Sequence, residues 1–458
     1  DWSSDVCSSD LPTKFSVLGL PSGLTYNATT GLIYGRPTVA KSFIVKANAL
    51  NAAGNGPAKE ELMVVQPYPT SALGTYQGAV PRHSEVTLNN NLGGRLTLTT
   101  TSLGAFSGTL ALGTVSHPLR GSLVMLPDSD PTGTQTIVRK NQNTLNLSFT
   151  LLRASRSLTA TLTDGTNPLT LTAVLPPLSF TSYIGNYTLA MKLAAGDLTN
   201  DANPKGHSVG AFKVSTKGAV SGVIKLADAS APVTLSGIVG EGGNLPLFTL
   251  LYARTGSLLG TLNIGAGDAL NASSLSWFKH TQAAATRSYK STFGPLTLET
   301  IGRPYVIPPL NGIALGLTGG AGNARLIFRD GAAPNPATRL DWTTFEIQKG
   351  SPAKVLPPVS NPGLVKLTVT PGSGTTFTAG TTGSFTGSFA LKDSDTSIIP
   401  NRDLTRSATF TGMIVDDGTG QKGYGFFNLA EMPTASPKTT AATTKLLSGS
   451  VELSATTP

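Results

Sequence analysis

A nine-residue signature that begins with glycine recurs along the chain and constrains the fold more than any other feature. It spans Gly104–Leu112, Gly218–Leu226 and Gly383–Leu391, with a fainter copy at Gly256–Ile264. Apolar residues fall on alternate positions after the first glycine, a pattern typical of a half-buried β-strand entered through a glycine turn. A repeated strand predicts a tandem array of related β-modules, and such arrays usually serve structural or binding roles.

The composition fits a turn-rich, threonine-faced β-protein. Charged residues make up 13% of the chain, against roughly 25% in typical soluble domains. The chain contains 51 glycines and 31 prolines. Steady hydrophobic alternation at low charge argues against disorder, because disordered chains are usually rich in charge and poor in apolar residues.

The net charge of +9 is diffuse. The longest basic run is Arg139-Lys140, and no basic cluster alternates with aromatic residues, so a nucleic-acid partner is not predicted. Weak attraction to anionic polysaccharide or lipid headgroups is compatible with this charge. No run of 18 apolar residues occurs, so no transmembrane helix is predicted and any membrane contact would be peripheral.

The first residues, DWSSDVCSSD, differ from the rest and resemble one reading frame of a sequencing adapter. We expect residues 1–11 to be an artefact, as an expression scar would be, and the fold prediction begins at residue 12. The single cysteine, Cys7, lies in this string. The remainder therefore predicts neither a disulfide framework nor a thiolate metal site.

Residues 12–67 form a distinct first unit. Leu20–Leu24 reads LPSGL, Thr30–Thr38 reads TGLIYGRPT, and an alternating strand follows at Phe43–Ala47. These segments resemble the bacterial Ig-like domain, an immunoglobulin/cadherin-like sandwich found in tandem on secreted and cell-surface proteins. The resemblance implies turns and short strands that close a sandwich. Its first strands would precede Phe15, so we expect a truncated domain with an unpaired, aggregation-prone sheet edge.

Three further modules are predicted, at 72–177, 183–309 and 310–458. Their glycine-opened strands resemble β-repeats of large secreted proteins of environmental bacteria, which implies location more than chemistry. The copies of the signature are unequally spaced, so the third module either carries an insertion or spans part of another unit. The predicted fold is all-β: a truncated Ig-like sandwich followed by about three antiparallel β-barrel or sandwich modules in tandem.

One segment fits a hydrolase motif. Gly206–Gly210 reads GHSVG, which would make Ser208 a nucleophile if it lay on a strained turn between a buried strand and a helix. An alternating strand follows instead, so a turn serine is the favoured interpretation. Ser351 and Lys354 match S-x-x-K, but Pro352 would block the helix that this motif requires.

The four histidines, His83, His117, His207 and His280, show no metal-ligand spacing. Isolated loop or core histidines are favoured over a metal centre.

Oxygen-rich loops are the remaining cofactor candidates. They are Asp197–Asn203, with four carboxylate or amide side chains as possible hard ligands, and the pairs Asp128/Asp130 and Asp393/Asp395. Weak structural calcium is one interpretation and Asx turns are the other. We assign no cofactor and no catalytic, cofactor-binding or metal-binding residue.

Aromatic side chains at Trp277-Phe278 and Trp342 suggest sugar-stacking platforms, although such residues more often fill β-barrel cores. The chain is predicted to be a non-catalytic, secreted or cell-surface structural or adhesive protein. Its expected partners are extracellular polysaccharide or other surface proteins. The alternative is a carbohydrate-binding region of a larger secreted enzyme, and a hydrolase using Ser208 ranks third. Any ligand contact is expected in the loops, because the signature strands carry no polar residue that must act chemically.

Overall fold

The computed structural model describes residues 11–126, 128–265, 269–283, 287–308, 313–317, 320, 322–332, 341–346, 354–355, 366–370 and 383–456. These residues form thirty strands and one short α-helix, so the predicted all-β, multi-module fold class is confirmed. No helix in these ranges has the length and apolar character needed to span a bilayer.

The N-terminal unit is a small sheet with little buried surface. Its strands are β1 Lys14–Leu18, β2 Leu24–Tyr26, β3 Ile33–Gly35, β4 Ser42–Asn51, β5 Gly54–Asn55 and β6 Lys59–Val64. β4 pairs with β1, β5 and β6, while β2 and β3 form a separate hairpin. Val17 and Val45 are buried, but Leu18, Ile44 and Leu62 are exposed. The membership of this unit in the Ig-like family stays a prediction.

Module 1 is an eight-stranded meander. Its strands are β7 Gly74–Val80, β8 Gly94–Thr100, β9 Ala105–Leu112, β10 Val115–Ser122, β11 Thr132–Ile137, β12 Leu145–Leu152, β13 Ser157–Thr163 and β14 Pro168–Val174. The first and last strands pair with each other. A bridge between Val124 and Thr132 joins the two remaining ends of the sheet. The Gln135 side chain adds an acceptor at 2.8 Å for the Arg120 amide, so the sheet closes into a barrel.

Module 2 repeats this topology. Its elements are β15 Gly185–Leu193, α1 Ala195–Leu198, β16 Ser208–Val214, β17 Ala219–Lys225, β18 Val233–Ile238, β19 Asn244–Leu251, β20 Gly256–Ile264, β21 Leu270–Lys279 and β22 Phe293–Pro304. β15 and β22 pair along the closure of the meander. The two other ends, β18 and β19, are separated by a short turn at residues 239–243. Such a short connection keeps these two ends of the sheet near each other.

Module 3 has the same cyclic strand order but places the signature differently. Its strands are β23 Ala324–Asp330, β24 Asp341–Glu346, β25 Lys354–Val355, β26 Lys366–Thr370, β27 Ser384–Asp395, β28 Arg402–Asp416, β29 Gln421–Ala430 and β30 Leu446–Ala455. The signature forms the third strand of modules 1 and 2, whereas in module 3 it forms β27, the fifth of the strands that the structure describes there. This shift accounts for the unequal spacing of the copies.

Short 3-10 turns complete the described elements. They are Thr70–Ala72, Thr181–Tyr183, Glu241–Gly243, Tyr252–Arg254 and Ala314–Gly316. The first two precede the opening strands of modules 1 and 2 and are joined to them by hydrogen bonds. The Tyr76 and Tyr187 hydroxyls donate to the carbonyls of Ala72 and Tyr183 at 3.3 and 3.0 Å, respectively. Both rings are fully buried in their barrels, and burial raises the pKa of Tyr76 to about 12.

Each signature glycine lies under an aromatic ring from the segment before its module. Gly104, Gly218 and Gly383 have φ values of 73°, 72° and 76°, in the left-handed region. A Cβ would lie 2.3 Å from Tyr68, 2.1 Å from Phe180 and 3.0 Å from Tyr305, respectively. Glycine is needed at these positions for two reasons, since it adopts the left-handed backbone conformation readily and has no Cβ to collide with the ring.

The barrels contact one another through different surfaces. Modules 2 and 3 share an apolar cluster, the 2–3 cluster, formed by Ala190, Val209, Ala211, Met413, Val415 and Tyr424. Its members lie on the outer faces of β15, β16, β28 and β29. Modules 1 and 2 meet instead around a polar side chain, Arg82, beside an open cleft.

Candidate functional site

A cleft of about 1010 Å³ lies between modules 1 and 2. One wall is a set of hydroxyl side chains on β11–β14, which we name the hydroxyl face. Its members are Thr132, Thr134, Ser148, Thr150, Thr159, Thr161, Thr170 and Thr172. All are exposed or half-buried.

The strand register arranges the hydroxyl face as two parallel rows. One row runs across the four strands through Thr134, Ser148, Thr161 and Thr170, and the other through Thr132, Thr150, Thr159 and Thr172. Neighbouring members of a row are about 4.8 Å apart, and the rows are about 6.8 Å apart, from ideal sheet geometry.

The local sequence explains this wall. Each strand carries a hydroxyl residue, one inward residue and a second hydroxyl residue. The inward positions are Gly133, Phe149, Ala160 and Leu171, all buried in the barrel. Because side chains alternate between faces, the hydroxyl residues must point outward. Threonine suits this position because a β-branched side chain packs well on a pleated surface.

The opposite wall comes from module 2 and is partly apolar. Leu259, Leu275 and Pro295 line it together with Thr261 and Thr297. The pairing of β20 with β21 shifts register between Leu259 and Thr261. Such a bulge turns the strand locally and commonly occurs beside binding sites.

Arg82 reaches from module 1 into module 2 at the edge of the cleft. Its Nε donates to Ser276 Oγ at 2.9 Å, and its Nη1 donates to Ser257 Oγ at 2.6 Å and the Asn91 carbonyl at 2.5 Å. Its Nη2 donates to the Ser257 and Ser276 carbonyls, both at 3.1 Å. Burial lowers the Arg82 pKa to about 10, so the group remains cationic at neutral pH.

Among the described residues that line the cleft, Arg82 alone is ionisable. Its five N–H donors already have neutral oxygen partners. The hydroxyl face therefore supplies donors and acceptors, and the exposed Pro295 and the threonine methyl groups supply apolar contact. This arrangement suits a neutral ligand that has both hydroxyl groups and apolar faces.

The hydrolase candidate Ser208 lies at the start of β16, with its side chain almost fully buried. Its Oγ accepts from the Ala227 amide at 3.0 Å. The neighbouring His207 contacts Glu452 of module 3 instead, with Nε2 3.2 Å from Oε1. Consecutive strand residues point to opposite faces, so His207 is not placed to activate Ser208. Ser351 lies outside the described residues.

The oxygen-rich loops use their side chains within the fold. Asp197 accepts from the Thr297 amide at 2.7 Å, and Asn203 donates to the Asp197 carbonyl at 2.8 Å. Asp201 pairs with Lys205 at 2.5 Å. Within the described ranges, no group of three or more acidic, histidine or cysteine residues is arranged to hold a metal ion. Structural calcium stays a prediction that these contacts do not test.

The aspartate pairs are also engaged. Asp130 forms an ion pair with Arg153 at 2.8 Å, and Asp393 forms a buried ion pair with Arg406 at 2.8 Å. Asp395 accepts from the Ser397 hydroxyl at 2.6 Å.

Trp277 fills the core of module 2, as the favoured interpretation of the sequence had it, and does not form a sugar-stacking platform. Its ring is fully buried in module 2. Its Nε1 donates to Tyr252 Oη at 2.8 Å, and that hydroxyl donates to Asp228 at 2.6 Å. Trp342 lies on β24, and its side chain is outside the described part of the chain.

Two of the scattered histidines come together in space. His117 and His280 both line a smaller pocket of about 290 Å³ at the end of module 1. They are far apart in sequence, so their spacing gave no signal. His83 lies in the loop at 81–93, where its Nδ1 accepts from the Glu85 amide at 3.1 Å.

The sequence also contained little that could have revealed the cleft. Alternating threonines were visible, but only strand register and module docking turn them into one wall.

No known protein-family profile matches the chain. No curated protein matches it. Among solved structures, the chain is similar to a mutant of the vaccine antigen transferrin binding protein B from Haemophilus parasuis Hp5, with 12% identity, covering 99% of this chain and 97% of that chain. The TM-score is 0.18, so this likeness carries no argument about fold or function.

Proposed function

We propose that this chain is a non-catalytic, secreted or surface-attached binding protein that holds neutral polysaccharide in the cleft between modules 1 and 2. The observation that carries the proposal is the hydroxyl face, eight Thr and Ser side chains in two rows beside an apolar wall. A polysaccharide offers the complementary surface, because its hydroxyls can donate and accept while its C–H faces pack on Pro295 and the threonine methyl groups.

Adhesion would follow from repetition. A single cleft lined by hydroxyls exchanges hydrogen bonds with water for hydrogen bonds with ligand, and each exchange contributes little net free energy. A long polymer can rebind along its length or span several protein molecules, which raises the effective concentration of each contact. The tandem modules would therefore act as a spacer that presents the cleft.

The alternative function, a carbohydrate-binding region of a larger enzyme, would use the same cleft. The two functions differ in the purpose of polymer binding, which is attachment in the first and support of a catalytic domain in the second. The buried, hydrogen-bonded hydroxyl of Ser208 supports a non-catalytic role over the third candidate, a serine hydrolase.

The test is affinity electrophoresis of the full chain in gels that contain neutral polysaccharides of different linkage. Replacing Thr159 and Thr161 by Val removes two hydroxyls but keeps the β-branched shape. We expect this double variant to bind about tenfold more weakly, with unfolding unchanged, because two charge-free hydrogen bonds are lost.

Thr109→Val is the matched control, because Thr109 is exposed on β9 of the same barrel and does not line the cleft. Equal retardation of the double variant and the control would remove the cleft from the proposed function. Absence of retardation in every gel would reject neutral polysaccharide as the ligand.

A further inference from the structure

The smaller pocket lies at one mouth of the module 1 barrel. The connections 81–93, 113–114, 138–144 and 164–167 all lie at this end, because successive strands of a meander reverse direction. Leu88 and Leu92 cover the core here, and module 2 contributes Arg254, Thr255 and His280 to the wall. The pocket encloses about 290 Å³, which is close to the lower limit of small-molecule sites.

Arg139 is the central observation. Its side chain is only 8% exposed and lines this pocket. Its Nε donates to the Asn143 carbonyl at 2.7 Å and its Nη1 donates to the Thr87 carbonyl. Its Nη2 is buried and has no hydrogen-bond partner among the described residues. A buried cationic donor without an acceptor is costly, and a bound acceptor would remove that cost.

The other ionisable side chains around the pocket are also basic. His117 from β10, Arg254 and His280 line it, and none of the described lining residues carries a carboxylate. His280 Nε2 donates to the Asn90 carbonyl at 3.0 Å, which fixes the ring at the wall.

Arg254 belongs to a strained turn. Tyr252, Ala253 and Arg254 have φ values of 52°, 51° and 77°, three consecutive non-glycine residues in the left-handed region. Such strain is costly and persists only where surrounding contacts enforce it.

One carboxylate has an electrostatic effect on Arg139 from outside the pocket. The Asp164 charge raises the Arg139 pKa, while burial lowers it more strongly. Asp164 already accepts from the Thr166 and Asn167 amides at 3.1 and 2.9 Å, and these bonds lower its own pKa to about 2. It therefore moderates the positive charge of the pocket without supplying an acceptor for Arg139 Nη2.

We propose that this pocket binds a small oxyanion, a carboxylate or phosphate group on a compact polar molecule, with Arg139 Nη2 as the principal donor and Arg254, His117 and His280 around it. The site is independent of the proposed polysaccharide cleft, since the two share no lining residue. Both walls are needed, because module 1 supplies Arg139 and module 2 supplies Arg254.

The proposal has a spectroscopic consequence at His117. Burial first, and the Arg139 charge second, lower the pKa of its imidazole. Arg139 is the charge that acts on it, while Arg254 and His280 line the same pocket and Asp164 acts on Arg139. A bound anion opposes the effect of the Arg139 charge, so the His117 pKa should rise on binding and affinity should increase as the pH falls.

The experiment titrates the full chain with inorganic phosphate, with glucuronate and with glucose as the neutral control, followed by calorimetry and by NMR of the histidine side chains. We expect one or both anions to bind and to raise the His117 pKa, with glucose silent. Tighter binding of phosphate would assign a phosphate group, and tighter binding of glucuronate would assign a carboxylated sugar.

Arg139→Gln should abolish binding, but Arg139 also supports two loops and this variant could unfold. Arg254→Gln avoids that problem because Arg254 is exposed. It should weaken anion binding about tenfold, as expected for losing a charged donor. Arg120→Gln, an exposed arginine on β10 away from the pocket, should bind like wild type. Binding of neither anion, or equal binding by the Arg254 and Arg120 variants, would overturn the proposal.

Discussion

The two junctions between barrels are centred on opposite chemistry, although hydrogen bonds also cross the apolar one, for example from the Gly206 amide to Ser448 and from Arg287 to the Thr444 carbonyl. Modules 2 and 3 meet through the apolar 2–3 cluster, in which Ala211 and Val415 are completely buried. Modules 1 and 2 meet through Arg82 and its hydrogen bonds to neutral oxygens. An apolar junction gains free energy by excluding water, whereas a polar one must satisfy every donor. A cleft and a smaller pocket lie beside the polar junction.

This difference indicates that the two junctions have different roles. The 2–3 cluster excludes water from the centre of the contact between modules 2 and 3, since all its members are buried. The polar junction holds its barrels through hydrogen bonds, chiefly those of Arg82, with further contacts from His280 to Asn90 and from Arg156 to Glu241, and the cleft and the smaller pocket lie beside it. Ligand sites at domain boundaries commonly arise in this way.

The largest effect is expected from placing a charge in the 2–3 cluster. Val415→Asp buries a carboxylate that has no partner and should destabilise the chain by about 3–5 kcal/mol. The measurement is urea unfolding of the full chain. Leu178→Asp is the control, because Leu178 is 87% exposed. Equal unfolding midpoints for the two variants would show that this contact does not bind the barrels together.

Arg82→Ala tests the polar junction and should cost about 2–3 kcal/mol, because it strands the carbonyls of Ser257, Ser276 and Asn91. Arg82→Lys should recover only part of the loss, since an ammonium cannot reproduce the planar fork. Urea unfolding again gives the free energy, and hydrogen exchange in β20 and β21 locates the change. Arg120→Ala is the matched control, and a similar cost for both arginines would contradict the assigned role of Arg82.

The fold was largely predictable because the signature encodes it locally. Alternating apolar residues in Gly104–Leu112 and Gly218–Leu226 specify strands that face a core, and the structure places both in the third strand of a barrel. The aromatic ring over each signature glycine was not predictable. Tyr68 and Gly104 are distant in sequence, and their contact depends on how the segment before the barrel lies across its end.

The sites were less predictable, because both arise between modules. The expectation that ligand contacts lie in loops does not describe the cleft, whose hydroxyl face lies on strands. From the sequence, Thr159 and Thr161 are only outward-facing strand residues. The strand register of the structure places them beside Thr172 and Thr170. His117 and His280 are likewise isolated in sequence and meet only when module 2 docks on module 1.

Acid should weaken the 2–3 junction by a smaller amount. The hydrogen bond from His207 lowers the Glu452 pKa most, followed by the charges of His207, Lys192 and Arg329, against the effect of burial. A carboxyl whose folded pKa is lowered contributes stability above its unfolded value, and this contribution is lost as the pH falls below about 4.5. Because the pair is partly exposed, we expect at most about 1 kcal/mol.

The measurement compares unfolding free energies of wild type and Glu452→Gln from about pH 6 to about pH 3. The variant should lack this part of the acid loss. The oxygens that accept from Arg82 do not titrate, so Arg82→Ala should keep the wild-type pH dependence. Identical pH profiles for wild type and Glu452→Gln would remove His207–Glu452 from the junction energetics.

The smallest effect is expected at the ion pair of the polar junction. Arg156 Nε lies 3.2 Å from Glu241 Oε2, and both side chains are partly exposed. Glu241→Gln should therefore cost about 0.5 kcal/mol or less in urea unfolding. The Glu241 amide still donates to the Leu175 carbonyl at 2.7 Å, so backbone docking survives the change. A small loss here beside a large one for Arg82→Ala would mean that neutral hydrogen bonds hold modules 1 and 2. A larger loss for Glu241→Gln, removed by high salt, would mean that the polar junction is ionic and that Arg82 is secondary.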